Sequence, residues 1–296
     1  MKAGIALVTL GGPKNLEEVD DFLKNLTGIE LPERVISGIK ERYKLIGGYS
    51  PLPEITEKQA NDLEKILPSH YKCLPAFRYT KPNIEDTIEY FVKNNFKKIV
   101  FFILSPYFTS VTTGNYIKYI ENYMEKNNIN IHHLFIHSWY KNKTFINCWV
   151  EKIKREVKDW NNFFLFSAHS IPERLAFEPY KSQILECCEI ISNSLNIKNW
   201  ALGWQSIPTN AKEPWIGPEV EKVMEEIRAK GFTTIVQIPI GFTADHIETL
   251  YDIDIIHSNY AKSLGLTYQR ISSLNNDPLF IKSLYDILME RMEEHL

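Results

Sequence analysis

No C-x-x-C pair occurs in this 296-residue chain, and cysteine itself is scarce: only Cys73, Cys148, Cys187 and Cys188. The adjacent Cys187 and Cys188 lie in a helical pattern, where they cannot easily close on each other or chelate a metal. All four read as reduced core residues, which argues against a disulfide framework and against a cysteine-ligated iron–sulfur cluster. Long apolar runs are missing too. None approaches the ~18 residues of a transmembrane helix. The opening MKAGIALVTLGG is apolar but short, carries no cleavage-site pattern and runs into Gly-Gly-Pro. It reads as a first strand, not a signal peptide, and the cytoplasm is the expected compartment. Excess positive charge is also absent. The net charge is −3, and lysines are interspersed with acids, as in Glu151–Lys158. There is no basic stripe for a nucleic acid. Finally, the first loop holds neither G-x-G-x-x-G nor G-K-[ST]. Glu17, Glu18, Asp20 and Asp21 crowd the helix start where a phosphate would sit, so nucleotide binding is disfavoured.

What remains is an ordinary globular balance, 44% hydrophobic and 24% charged. Short apolar runs alternate with helical patterns. The spacing predicts strands over 3–9, 71–78, 99–104, 131–136, 163–168, 200–204, 235–240 and 266–269. Helices are predicted over 57–67, 83–94, 113–126, 143–158, 180–195, 218–230 and 277–294. Nearly continuous apolar runs suit strands buried on both faces, and the strand–helix repeat means parallel sheets. Eight strands divide into two sets of four. The expected organisation is a first α/β domain over 1–148, a second over 149–276 and a C-terminal helix over 277–296 packing back on the first. No Pro/Gly/Ser linker marks the break.

Each strand runs into polar or special residues, and open parallel sheets bind ligands at the carboxyl ends of their strands. The sharpest case is FFLFSAHSIPERL, 163–175, where a buried run ends on His169 between two serines. Taken alone, such a histidine is usually a satisfied loop residue. At a strand end it becomes a candidate for proton transfer near neutrality, with Ser167 and Ser170 placed to fix its tautomer. A second candidate is PIGFTADHIETLYDIDII, 239–256. Asp245, Glu248 and Asp252 recur there at i, i+3 and i+7, so an α-helix would put them on one face beside His246. Acidic faces are commonly just solvated. This one sits among Ile247, Leu250, Tyr251 and Ile253, and oxygen plus imidazole ligands suit a divalent ion in passage better than a tight structural zinc. Third, Trp204 and Trp215 flank Pro and Gly residues in a way that suits either a core plug or the wall of a flat aromatic ligand.

These segments resemble the ferrochelatases: SAHSIP (167–172), WQS (204–206), PWIGP (214–218), FTADHIETLYDID (242–254), ERYKLIGGYSPL (41–52) and LVTLGGP (7–13). The motifs lie in order along essentially the whole chain and are highly specific together. The resemblance implies an α/β fold of two Rossmann-like, chelatase-type domains, each a four-stranded parallel sheet flanked by helices. A porphyrin would bind in the cleft between them. It implies insertion of Fe²⁺ into a metal-free porphyrin with release of two protons, a step of haem biosynthesis. His169 matches the family's essential histidine and Glu248 its essential glutamate, the pair assigned to iron binding and proton removal. Asp252 matches an acidic position one turn further along the metal path. Leu10, Arg42, Tyr43, Ser50, Tyr140, Ser206 and Trp215 match positions lining the porphyrin or its propionates.

The chain departs from the family pattern at several points. Ile256 stands where many relatives continue the acidic row. Leu10 stands where some place a metal-ligating tyrosine. The 25–33 loop carries no arginine, which relatives specialised for the more carboxylated coproporphyrin often have. This tilts the expectation to protoporphyrin IX, with coproporphyrin III as the alternative. No permanently bound cofactor is expected, iron being a substrate, and no Cys-rich extension for an iron–sulfur cluster is present. A non-catalytic tetrapyrrole carrier, or a chelatase for another metal and tetrapyrrole, is the competing reading. The expected partners are porphyrin and ferrous iron, with no nucleic acid. A peripheral membrane contact through Ile29, Leu31 and Ile36 is a further expectation, and a monomer is the default.

Overall fold

A computed structural model describes residues 2–208 and 211–293. Residue 1 and residues 294–296, which the sequence assigns to the two ends of the predicted domains, lie outside the described residues. Two compact units divide the chain.

Unit 1 is Met1–Trp139 with Asn275–Leu296. Its strands are β1 (Ala3–Thr9), β2 (Tyr71–Phe77), β3 (Lys98–Ile103) and β4 (His132–Ile136), all parallel in the order β2-β1-β3-β4. Its helices before β4 are α1 (Val19–Thr27), α2 (Glu33–Leu45), α3 (Leu52–Ile66), α4 (Ile84–Lys93) and α5 (Thr113–Lys126). The central strand β3 is buried at every position, as a strand covered on both faces has to be. Ile84, Ile88 and Phe91 of α4 and Ile120 of α5 pack over Ala6, Val8 and Phe101. Helix α4 opens with a reciprocal cap. The Asp86 amide donates to Asn83 Oδ1 at 2.8 Å, and the Asn83 amide donates to Asp86 Oδ2 at 2.9 Å. Helix α2 buries only Tyr43 fully, and its stripe of Ile36, Ile39 and Tyr43 is otherwise half-buried. Of the three residues expected at a membrane, Ile29 is exposed while Leu31 and Ile36 are half-buried. Among the described residues no helix is long and apolar enough to cross a membrane.

Unit 2 is Tyr140–Leu274. It runs α6 (Lys143–Glu156), β5 (Phe163–His169), α7 (Tyr180–Ser194), β6 (Trp200–Gln205), α8 (Val220–Ala229), β7 (Thr234–Ile238), a π-helix (Glu248–His257), α9 (Ser258–Ser263) and β8 (Thr267–Arg270). The sheet is parallel in the order β6-β5-β7-β8. Met224 and Ile227 of α8 and Ala261 of α9 cover Leu165 and Ile235. All four cysteines are buried free thiols.

The unit boundaries fall between Trp139 and Tyr140 and between Leu274 and Asn275. The sequence reading puts them at 148/149 and 276/277. Local bonding gives the reason for the difference. Glu156 at the end of α6 accepts from the Ser272 amide and hydroxyl at 2.9 and 2.6 Å, so the whole of α6 goes with the second sheet. Trp139 instead donates to the Ile103 carbonyl at 2.9 Å and packs beside Phe280 of α10 (Pro278–Glu293).

The two sheets share one strand order. In each, the chain leaves the first strand in one direction, then crosses back to the other side of it. The crossing point lies between β1 and β3 in unit 1 and between β5 and β7 in unit 2. Such switch points are where open α/β sheets bind ligands.

Candidate active site

The unit 2 switch point gathers the candidate side chains. His169 is the last residue of β5, and Glu248 opens the π-helix that follows β7. The His169 Nε2 lies 3.8 Å from Glu248 Oε1. On the other side, His169 Nδ1 faces the Ser170 carbonyl at 2.5 Å. A carbonyl only accepts, so Nδ1 carries the hydrogen, and Nε2 is the nitrogen turned to Glu248. The serines expected to fix this tautomer do so only in part. It is the Ser170 main-chain oxygen that acts. The Ser170 hydroxyl donates to the Ile216 carbonyl at 2.7 Å, and the Ser167 hydroxyl accepts from Gln237 Nε2 at 2.9 Å. The Tyr180 hydroxyl donates to the His169 carbonyl at 3.0 Å, which holds the strand end from α7.

The two loop motifs pair with each other. The Ile216 amide donates to the Ile171 carbonyl at 3.0 Å, and the Glu173 amide to the Pro214 carbonyl at 2.8 Å. This ladder brings the Trp215 ring to 6.3 Å from the His169 ring, centroid to centroid. At the end of β6, Ser206 adopts the left-handed region with φ of 61°. From there its hydroxyl donates to Asp252 Oδ2 at 2.6 Å. Its neighbour Gln205 donates to the Glu248 carbonyl at 3.0 Å. Strand β6 thus holds the π-helix at two successive turns.

His246 is the residue whose role the sequence left undefined. Its Nδ1 faces the Ala244 carbonyl at 3.2 Å and its Nε2 lies 3.4 Å from Glu248 Oε2. Both ring nitrogens face acceptors, which calls for the imidazolium form. Burial disfavours that charge, but the Glu248 carboxylate outweighs it, and the His246 pKa rises above the usual value. For Glu248, burial alone would raise the pKa. The His169 charge, then the hydrogen bond and charge of His246, bring it down to about 2.

One expectation is corrected. Asp245 does not share a face with Glu248 and Asp252. Its carboxylate turns to Arg270 and accepts from Ser273 Oγ at 2.8 Å and Thr249 Oγ1 at 3.1 Å. The i, i+3, i+7 argument assumed one α-helix from Asp245 onward, whereas Asp245 lies ahead of the helix, which begins at Ile247 and winds from Glu248 as a π-helix with i→i+5 bonds. Ile256 sits exposed on the same helix. Among the described residues no group of three or more His, Cys, Asp or Glu side chains is arranged to hold a metal ion.

The other expected lining residues fall in both units. Tyr140, in unit 2, donates to Glu186 Oε2 of α7 at 2.9 Å. In unit 1, Leu10 is half-buried at the end of β1, Arg42 is exposed on α2 and Tyr43 is buried beneath it. Ser50 is buried, and its amide donates to the Pro13 carbonyl at 2.8 Å. A Cβ on Gly12 would come within 2.5 Å of the Ser50 side chain, so the first loop can close on Ser50 only with glycine there.

The His246–Glu248 pair sets a pH dependence. A depressed carboxylate stabilises the fold above its unfolded value near 4.5, and this is lost as pH falls towards about 2. A raised histidine stabilises it fully below 6.5, and this is lost as pH rises through its folded value. The pair's contribution is therefore expected to be greatest between pH 4.5 and 6.5. A double-mutant cycle with His246→Ala and Glu248→Gln, read by urea unfolding, checks this. A coupling equally large at pH 9 would contradict it.

Comparisons with known proteins bear on the family and the fold. The family model described as Ferrochelatase matches residues 2–292. The chain is 31% identical over 310 residues to the coproporphyrin III ferrochelatase of Oceanobacillus iheyensis, covering 100% of this chain and 98% of that one. It is 30% identical over 307 residues to the coproporphyrin III ferrochelatase of Bacillus subtilis, covering 98% of each. A protein of Herpetosiphon aurantiacus named simply ferrochelatase is 31% identical, covering 97% of this chain and 98% of that one. Among solved structures, SirB from Bacillus subtilis with Fe³⁺ aligns with a TM-score of 0.60 at 12% identity, covering 98% of this chain and 95% of that one. CbiX, the terminal enzyme of sirohaem biosynthesis in denitrifying bacteria, aligns with a TM-score of 0.57 at 9% identity, covering 98% and 99%. At such identities the structures speak to the fold alone, and the fold is theirs.

Proposed function

Because this chain belongs to the ferrochelatase family, we propose that the porphyrin it fills with iron is coproporphyrin III. The chain is a metal chelatase enzyme that inserts ferrous iron into a porphyrin. Several relatives that match it over nearly full length carry coproporphyrin III in their names, and that observation supports the substrate choice. The tilt to protoporphyrin IX rested on Leu10 and on an arginine-free 25–33 loop. A missing cation in one loop is weak evidence, because propionates are recognised by any well-placed cation or hydroxyl. Helix α2, next in the chain, carries exposed Arg34, Arg42 and Lys44.

Insertion removes two protons from the ring nitrogens and places one dication among them. The observation that supports the roles is His169 Nε2 lying 3.8 Å from Glu248 Oε1. His169 turns Nε2 to the site, its other nitrogen being committed to the Ser170 carbonyl, and in its neutral form it takes the two protons one at a time, releasing each to water. Glu248 stays ionised beside the His246 imidazolium and is a weak base, so it serves as the negative charge that draws Fe²⁺ in. Asp252, one turn on and held by Ser206, hands the ion to Glu248. Trp215 forms an aromatic wall next to His169.

Anaerobic turnover of Fe²⁺ with each porphyrin tests the substrate. The kcat/KM for coproporphyrin III is expected to exceed that for protoporphyrin IX by about tenfold or more, a difference of ~1.4 kcal/mol in transition-state binding. The reverse ratio would overturn the choice of coproporphyrin III.

A further inference from the structure

Arg270, the last residue of β8, has no place in the chemistry described above. Yet its side chain is only 10% exposed and reaches two carboxylates. Nη2 donates to Asp245, just ahead of the π-helix, and Nη1 donates to Asp254 Oδ2, inside it, at 2.7 Å. Ser273 joins Asp245 from the segment after the strand.

The placement of the two carboxylates makes this contact informative. Asp245 lies in the loop just ahead of the helical segment, which begins at Ile247, and Asp254 lies within the π-helix. In that helix the wider i→i+5 winding decides which residues face β8. One guanidinium therefore ties the entry of the helix to its interior and restrains how the segment winds between them. A second residue of the same strand face works alongside. The Tyr268 hydroxyl is shared between Gln237 Oε1 at 2.7 Å and the carbonyl of Ile253, within the π-helix, at 3.2 Å. Glu248 and Asp252 lie between the two anchor points.

We propose that Arg270 is a positioning residue. By clamping Asp245 to Asp254 it holds 248–257 in the π winding, and so sets the direction in which Glu248 and Asp252 present their carboxylates to iron. The functional half of this inference rests on the reading of Glu248 and Asp252 as the iron-handling pair.

Three variants of the full chain test it. Arg270→Ala strands the nearly buried Asp245 and can fail to fold. Asp254→Ala removes one arm at a half-exposed site and leaves the Arg270–Asp245 pair in place. Arg270→Lys keeps the charge but not the fork. Amide hydrogen exchange over 249–257 is expected to speed up about tenfold or more in Asp254→Ala, with the strands of unit 2 unchanged, and less in Arg270→Lys. KM for Fe²⁺ is expected to rise about tenfold while KM for the porphyrin stays within about twofold. Unchanged exchange over 249–257 in Asp254→Ala would overturn the clamp. Equal rises in both KM values would overturn its link to iron. A wild type that turns over no porphyrin would instead sink the proposed function, and the exchange measurement would still decide the clamp.

Discussion

Glu248→Gln is expected to lower anaerobic turnover of Fe²⁺ by about 10²–10⁴-fold, the range typical of losing a positioned acid–base or charge-bearing group. The substitution keeps the shape of the side chain and removes its charge. Glu248 sits between two imidazoles, 3.8 Å from His169 and 3.4 Å from His246. With the charge gone, burial favours a neutral His246, and a ferrous ion meets an amide in place of a carboxylate, so the attraction that draws it towards the ring is lost. Porphyrin binding should survive, since the Trp215 wall is built from the 171–173 and 214–216 ladder and does not involve Glu248. Quenching of intrinsic fluorescence by porphyrin, measured beside the turnover assay, separates the two effects. Loss of binding together with turnover would mean that Glu248 shapes the pocket and does not handle iron. Retained turnover would remove Glu248 from the mechanism.

A large loss of stability is expected at Gly241. This residue follows β7, and its amide donates to the Ser167 carbonyl at 3.1 Å, which stitches the loop to β5. A Cβ there would lie 2.8 Å from both Ala168 Cα and Ala168 Cβ. The obstruction includes backbone, so the strand itself has to move, one residue before His169. Gly241→Ala is expected to cost about 1–3 kcal/mol, the usual range for overpacking a close-packed site. It should also lower kcat, because the His169–Glu248 separation depends on where β5 ends. Gly38 supplies the control. It lies within α2, and a Cβ there would meet nothing within 4 Å. Gly38→Ala is expected to be stabilising by up to about 1 kcal/mol, since alanine loses less backbone entropy in a helix. Urea unfolding of both variants checks the pair. A Gly241→Ala protein as stable as the wild type would show that the loop relaxes away from β5.

Much of the fold was legible because these strands advertise themselves. Strands buried on both faces need unbroken apolar runs, and KIVFFI at β3 or FFLF in β5 cannot be mistaken for surface. Helix α5 shows a helical period that places it at 113–126, the range observed. Helix α2 was missed although Ile36, Ile39 and Tyr43 recur at helical spacing, because the surrounding Arg, Lys and Glu residues make the segment polar on average and only Tyr43 is fully buried. The domain boundary was misplaced because the bonds that assign α6 to unit 2 come from Ser272, more than a hundred residues downstream.

By itself, the sequence determined which side chains could act. His169 stands at a strand end, Glu248 and Asp252 follow another, and tryptophan lies beside proline and glycine. Residue type and nearness to strand ends are local properties, written in the order of the chain. Tertiary structure alone decided what those side chains do. Asp245 left the acidic row for Arg270, His246 became the cation beside Glu248, and the Ser170 carbonyl, not a hydroxyl, set the His169 tautomer. The physical reason is common to all three. The winding of a helix and the charge state of a buried group depend on partners brought in from β6, β8 and the loops between. Composition and period carry no record of those partners until the sheet has formed.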